Sequence, residues 1–193
     1  MSPTQNTFDI AQLLSQIQQW GTELGFSQLG ISDIELGDAE QAFEQWLAKG
    51  YHGEMEYMAC HGKKRSRPAE LEPGTLSVIS ARMEYLPESQ QQALAVLNAP
   101  DKAYISRYAL GRDYHKLMRK RLQQLAKKIE ASIGEFGYRV FVDSAPVLEK
   151  PLAQQAGLGW TGKHSNILSR DAGSWFFLGE IYTTLSLPVS EPV

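Results

Sequence analysis

The stretch over residues 112–132 constrains the fold more than any other part of the chain. Tyr114, Met118, Leu122, Leu125 and Ile129 recur at helical spacing, while Lys116, Arg119, Lys120, Arg121, Lys127 and Lys128 fill the other positions. A helix this one-sided has to lay its apolar stripe on a packed layer and leave its cations in water. A second stripe, Ile10, Leu13, Leu14, Ile17, Trp20 and Leu24, makes the same demand, with Thr7 or Asp9 as its cap and Gly25 as its stop. Further helices are expected from an Asp38 cap to Gly50, briefly over 54–59, and over 148–156. Apolar runs at 26–32, 76–86, 103–109, 138–143, 166–168 and 175–184 read as strands, and 157–162 as a turn. Pro68 and Pro73 discourage regular structure in the charged loop 61–73, and 87–101 carries no clear pattern. Helices alternating with strands predict an α+β (α/β sandwich) domain, a central mixed sheet flanked by helices.

With 193 residues, 42% of them hydrophobic, the chain can bury one substantial core. The tail 187–193, with Pro188 and Pro192, reads as a linker, so that 1–186 form the domain and something is expected to follow. A net charge of −3 gives no global field for nucleic acid, although a local basic face remains possible. Cys60 is the only cysteine, which excludes an internal disulfide and a four-cysteine cluster site within this chain. The polar start has no secretory pattern, and no apolar run approaches the roughly 18–20 residues of a membrane helix.

Four groups of residues carry possible chemistry. Asp143 ends an apolar strand in FVDSAP; Phe141, Val142, Ala145 and Pro146 would limit its hydration and keep it protonated as a proton donor. The competing reading makes it a cap for a helix beginning near Pro146. In GLGWTGKHSNIL, Gly157, Gly159 and Gly162 allow close backbone approach, and Lys163, His164 and Ser165 could meet phosphate or amide groups, or the glycines could simply punctuate a turn. SRYALGRDYHKLMRKRL joins Tyr108 and Tyr114 to a cationic helix, a combination suited to flat anionic ligands or RNA, and equally to a solvated face with core tyrosines. Arg65 and Arg67 could bind phosphate or merely keep a loop soluble. His52, His61, His115 and His164 show no zinc-ligand spacing, no metal ligand is assigned, and Cys60 has no nucleophile signature.

Taken together, YHGEMEYMA, RSRPAELEPGTLSVI, SRYALGRDYHKLMRKRL, FVDSAPVLEKPLAQQAGLGWTGKHSNIL and GSWFFLGEIYTTLSLPV resemble the epoxyqueuosine reductase family in order and spacing, from about residue 11 onward. The resemblance implies an oxidoreductase that converts epoxyqueuosine to queuosine at the wobble position of tRNA, using cobalamin and [4Fe–4S] clusters, on a fold like the cobalamin-binding domain of reductive dehalogenases. It implies a cytoplasmic monomer whose partners are the anticodon stem-loop of a tRNA and an electron donor, with no membrane. By the same resemblance Asp143 is the proton donor and itself faces the cofactor. Arg65 contacts cobalamin, Ser106 lines the corrin pocket, and Lys163, His164, Ser165 and Ile167 wrap the lower face and tail of the cofactor. Tyr108, Arg112 and Tyr114 are assigned to substrate. The family's cysteine motifs should follow this point, yet the sequence ends at Val193. The chain is therefore expected to be a truncated N-terminal module, without clusters and inactive alone. Two alternatives stand beside this: a non-catalytic tRNA- or corrin-binding module, and a reductase of another small molecule on a related scaffold.

Overall fold

The computed structural model describes residues 9–86, 90–191 and 193. Its first helix, α1 (Ile10–Glu23), starts where expected: Asp9 is extended, and its carboxylate accepts from the backbone N–H groups of Ala11 and Gln12. Thr7, the other candidate cap, lies outside the described residues. The chain leaves α1 through Gly25 and enters β1 (Gln28–Ser32). Helix α2 (Gly37–Ala48) follows without a side-chain cap, so Asp38 sits inside the first turn, where its charge suits the helix dipole, rather than capping it. The turn expected over 54–59 is a single turn of 3₁₀ helix, Glu56–Met58.

The proline-containing loop is more ordered than its composition predicts. It holds a 3₁₀ turn, Gly62–Arg65, and a short helix, α3 (Pro68–Leu71). Pro68 stands in the first turn of α3, where a missing N–H costs nothing. Strand β2 (Ser77–Glu84) is followed by α4 (Gln90–Leu97), in a stretch that offered no pattern. The strand expected over 103–109 does not form. Ala103–Ser106 pairs with no strand, and a 3₁₀ turn, Arg107–Ala109, follows, with the buried Arg107 guanidinium 4.8 Å from the Tyr104 ring centre. A cation anchored on its neighbouring ring favours a turn over an extended ladder.

The basic helix is α5 (Tyr114–Ile133), capped by the Asp113 carboxylate, which accepts from His115 N, and ended at Gly134. Then come β3 (Tyr138–Phe141), α6 (Glu149–Gln155), β4 (Trp160–Thr161), β5 (Ile167–Leu168) and β6 (Phe176–Thr183). Strands β4 and β5 form a separate two-stranded ribbon; β5 falls in the 166–168 run read as a strand, and β4 in the 157–162 stretch read as a turn.

The main sheet runs β1-β2-β6-β3, and every pairing in it is antiparallel, which corrects the expected mixed sheet. Helices α1 and α5 cover one face; Leu13, Ile17, Leu122, Leu125 and Ile129 meet Ile79 and Ile181 there. The other face carries α6, with Leu152 against Val78, Phe141 and Tyr182, and Leu36 and Leu71 at its margin. Gly30 is required on that face, because a Cβ would overlap the carbonyl of Ala156. The tail stays docked at least to Ser190: Leu187 is buried, and Ser190 exchanges hydrogen bonds with the backbone of Ile31, both 2.9 Å.

Candidate active site

Strand β3 ends at Phe141, Val142 stays in the core, and the backbone then turns so that Asp143 has φ +49°. Aspartate tolerates this left-handed conformation better than most residues. The turn throws its carboxylate outward, toward the start of α5. Asp143 Oδ2 accepts from the Tyr114 hydroxyl at 3.0 Å and lies 2.7 Å from His115 Nε2. The shelter expected around this carboxyl is absent, since its side chain is 51% exposed. Nor does Asp143 cap α6, whose N-cap is Leu148 with no side-chain hydrogen bond.

His115 is clamped between two carboxylates, its Nδ1 3.0 Å from Asp113 Oδ1 and its Nε2 on Asp143. Both ring nitrogens can donate at once only in the imidazolium. Accordingly the hydrogen bond that His115 donates to Asp143 raises the His115 pKa against the opposing effect of burial, the one it donates to Asp113 adds to the rise, and that same bond lowers the pKa of Asp113. Tyr114 holds the arrangement rigid: its ring stacks on Phe177 at 3.8 Å and on His115 at 4.0 Å. Burial, followed by the hydrogen bond to Asp143, pushes its phenol up.

Asp143 stands between two clefts. The smaller, about 160 Å³, is lined by Tyr85, Tyr114, Glu149, Ile167, Phe176 and Phe177. The wider, about 470 Å³, is lined by Tyr57, Met58, Arg65, Leu148 and Glu149. Arg65 is only 7% exposed. One of its terminal nitrogens donates to the carbonyl of Tyr57 at 3.0 Å, while its Nε is buried with no partner. Among the described residues no carboxylate pairs with it, and burial lowers its pKa. A buried guanidinium left unpaired beside a cleft is suited to a carbonyl-, amide- or phosphate-bearing ligand.

The predicted residues divide into three groups. Asp143, Arg65, Tyr114 and Ile167 converge on these two clefts. Tyr108 and Arg112 line a separate groove of about 390 Å³, which shares Tyr114, Tyr85 and Phe177 with the first. Ser106, Lys163, His164 and Ser165 are exposed and line neither cleft; the His164 ring folds back over Gly162, where a Cβ would come within 2.7 Å of it. Arg67 is tied up structurally, by Glu40 and Glu70.

Sequence reasoning missed His115, Glu149 and Glu180. The signal for His115 was its place two residues after a helix-capping aspartate, which fixes its direction. Glu149 opens α6 and lines both clefts; burial first, then the charge of Asp143, pushes its carboxyl up to about 7. Glu180 is 1% exposed in β6, and burial, Glu149 and Asp143 drive its pKa well up. Among the described residues no cluster of His, Cys, Asp and Glu is arranged to hold a metal ion, and no helix is long and apolar enough to cross a membrane.

The antiparallel sheet between α1/α5 and α6 is a fold shared with two groups of solved structures. A reductive dehalogenase whose structure suggests a mechanism for B12-dependent dehalogenation superposes with a TM-score of 0.57 at 14% identity, over 96% of this chain and 21% of that one. An epoxyqueuosine reductase with an epoxyqueuosine-modified tRNA-Tyr stem loop reaches 0.81 at 20% identity, covering 96% and 48%. The Streptococcus thermophilus epoxyqueuosine reductase reaches 0.75 at 26% identity, covering 93% and 48%. Residues 65–144 match the family described as Epoxyqueuosine reductase QueG, DUF1730. The epoxyqueuosine reductase of Pseudomonas aeruginosa is 65% identical over 181 residues, and that of Vibrio cholerae 61% over 184. Over nearly its whole length the chain is similar to epoxyqueuosine reductases, and residues 65–144 carry the segment that the family description matches. The chain spans 94% and 95% of its own length in those alignments but about 50% of each relative, so it covers about half the length of the curated proteins it matches.

Proposed function

We propose that this chain is the N-terminal catalytic module of an epoxyqueuosine reductase, acting on epoxyqueuosine at the tRNA wobble position with cobalamin. The observation that carries this reading is one carboxylate, Asp143, held by Tyr114 and His115 at the meeting of two clefts, one of which contains an unpaired buried guanidinium. Residues 1–186 form the cofactor- and substrate-binding domain, and 187–193 lead toward an iron–sulfur domain in the rest of the protein, which relays electrons from a donor. A cytoplasmic, monomeric state goes with this reading.

The residues present fit cobalamin at one side of its site. Arg65, with its free Nε, would hold a peripheral amide or the phosphate of the tail, and Asp143, Tyr57 and Met58 would border the ring. Lys163, His164 and Ser165 belong to the cofactor's tail in this reading, on an exposed turn away from the two clefts, and Ser106 to its rim. When bound and reduced, cobalamin supplies the electrons. The chain's own part is proton handling and orientation. Tyr114 and His115 fix Asp143 Oδ2, and the proton lying in the 2.7 Å contact between Asp143 and His115 is the one given to the departing oxygen. Tyr108 and Arg112, in the neighbouring groove, would stack and pair with the anticodon loop.

The test is turnover of an epoxyqueuosine-bearing anticodon stem-loop by the reductase carrying this domain, reconstituted with clusters and cobalamin. Asp143→Asn should lower kcat by about 10²–10⁴-fold with the fold intact. Full activity in that variant would remove the assignment. Stem-loop binding with no turnover by the reconstituted parent would leave a binding module instead.

A further inference from the structure

Three carboxyl groups run from the mouth of the site into the sheet. Asp143 stands at the rim, Glu149 lines both clefts beside it, and Glu180 lies inside β6. Glu149 makes no hydrogen bond or ion pair among the described residues; its neighbour Lys150 donates instead to Asn166 Oδ1, at 3.2 Å. Among the described residues Glu180 Oε1 is buried without a partner, and so are the hydroxyls of Ser80, directly across from it on β2, and of Ser32 on β1. The register puts these three on the sheet face that α6 covers, as a polar strip between apolar clusters. Buried groups are so rarely left unpaired that a strip of them calls for water or chemistry.

The proposed reaction supplies the chemistry. Converting an epoxide to an alkene breaks both C–O bonds and releases the oxygen as water. It consumes two electrons, from reduced cobalamin in the reading above, and two protons. The contact between Asp143 and His115 accounts for one proton. We propose that Glu149 stores the other and passes it to Asp143 once Asp143 has delivered its first, so that one half-exposed acid protonates the same oxygen twice. In that transfer the O–H bond of Glu149 breaks, an O–H bond forms at Asp143, and Glu149 is left as a carboxylate, to be recharged from solvent after product leaves. The cleft of about 160 Å³ between them has room for several water molecules, at roughly 30 Å³ each, to bridge the gap. Glu149 is thus a positioning residue acting through Asp143.

The groups that face Glu149 support this. Across the small cleft stand Asp143, Tyr114 and Tyr85; Arg65 and Tyr57 share the wider one; Lys150 adjoins it on α6 and Glu180 interacts with it from the sheet. Burial and the charge of Asp143 outweigh Lys150, which keeps a proton available on Glu149 near neutral pH.

The inference rests on the functional reading, and two measurements keep their failures apart. In the reconstituted reductase, kcat should fall as pH rises through about 7. Glu149→Gln should lower kcat about tenfold or more at neutral pH and flatten that limb. An unchanged profile in Glu149→Gln overturns the inference, whereas absence of turnover in the parent overturns the functional reading. Carbon-13 NMR of glutamate carboxyls in the 193-residue chain needs no activity. There the Glu149 signal should titrate near 7 and move to lower pH in Asp143→Asn. A Glu149 already ionised in mild acid, or indifferent to Asp143→Asn, overturns the inference even if Glu149→Gln does not fold.

Discussion

Oδ2 of Asp143 takes hydrogen bonds from two residues that stand 28 and 29 positions earlier in the chain. Nothing in the FVDSAP segment announces them. Asp143 itself was legible as a carboxylate at a strand end; its exposure was not, because the apolar letters around it turn inward while the left-handed backbone turns it out. Arg65 read either as a phosphate-binding or as a solubilising arginine, and its burial depends on how the 3₁₀ turn packs. Glu149 and Glu180 read as ordinary helix-start and strand glutamates, and only the assembled fold encloses them, Glu180 fully and Glu149 in part. Their burial has a thermodynamic consequence. The Glu149 carboxyl has a folded pKa of about 7 against an ordinary 4.5, so the folded state binds its proton more tightly than the unfolded chain does. Its contribution is therefore fully present below about 4.5 and is lost as pH rises through about 7. Glu180 adds a term of the same sign. Urea unfolding should show stability falling across that window, and Glu149→Gln should remove about 2 kcal/mol of the fall.

Between elements, one ion-pair cluster ties α2 to the turn that leads into α3. Glu40 receives Arg67 Nε and a terminal nitrogen, the latter at 2.8 Å, and the Ser66 hydroxyl at 2.6 Å. The hydrogen bonds from Arg67, then that from Ser66, pull Glu40 down to about 2. This contribution is present above the ordinary carboxylate value and disappears as pH falls through about 2, the opposite sense to Glu149. Glu40→Gln should cost about 1 kcal/mol at neutral pH in denaturant unfolding, and nothing once the carboxyl is protonated. On the same face of the sheet, Gly30→Ala would drive a methyl into the Ala156 carbonyl and should cost about 1–3 kcal/mol by the same assay. The long stripes of α1 and α5 were legible because their period repeats over several turns. Strand direction was not, since β2 finds β6 some hundred residues later and no local pattern records which way the partner runs. The 103–109 run failed for a related reason: its apolar letters suit a strand, but Tyr104 and Ile105 face solvent and the buried Arg107 takes the inner place.

For the molecule as a whole, a net charge of −3 hides a strongly uneven surface. Lys116, Arg119, Lys120 and Lys127 are all exposed along α5, which starts at the Asp143 cluster. In the proposed function this face steers the anticodon stem-loop to the site. Replacing Arg119 and Lys120 by glutamate should weaken stem-loop binding several-fold and reduce the slope of log affinity against log salt by about two, measured by titration at several salt concentrations. An unchanged slope would place the RNA elsewhere.

The two borders of the main sheet are closed in different ways. On β1, Ser190 occupies both the N–H and the C=O of Ile31. On β3 only four residues form a strand, and Arg139 there is held by Glu72. A sealed margin and a charged stub give a neighbouring copy nothing to zip onto, which protects a β-rich protein from fibril growth when it is crowded.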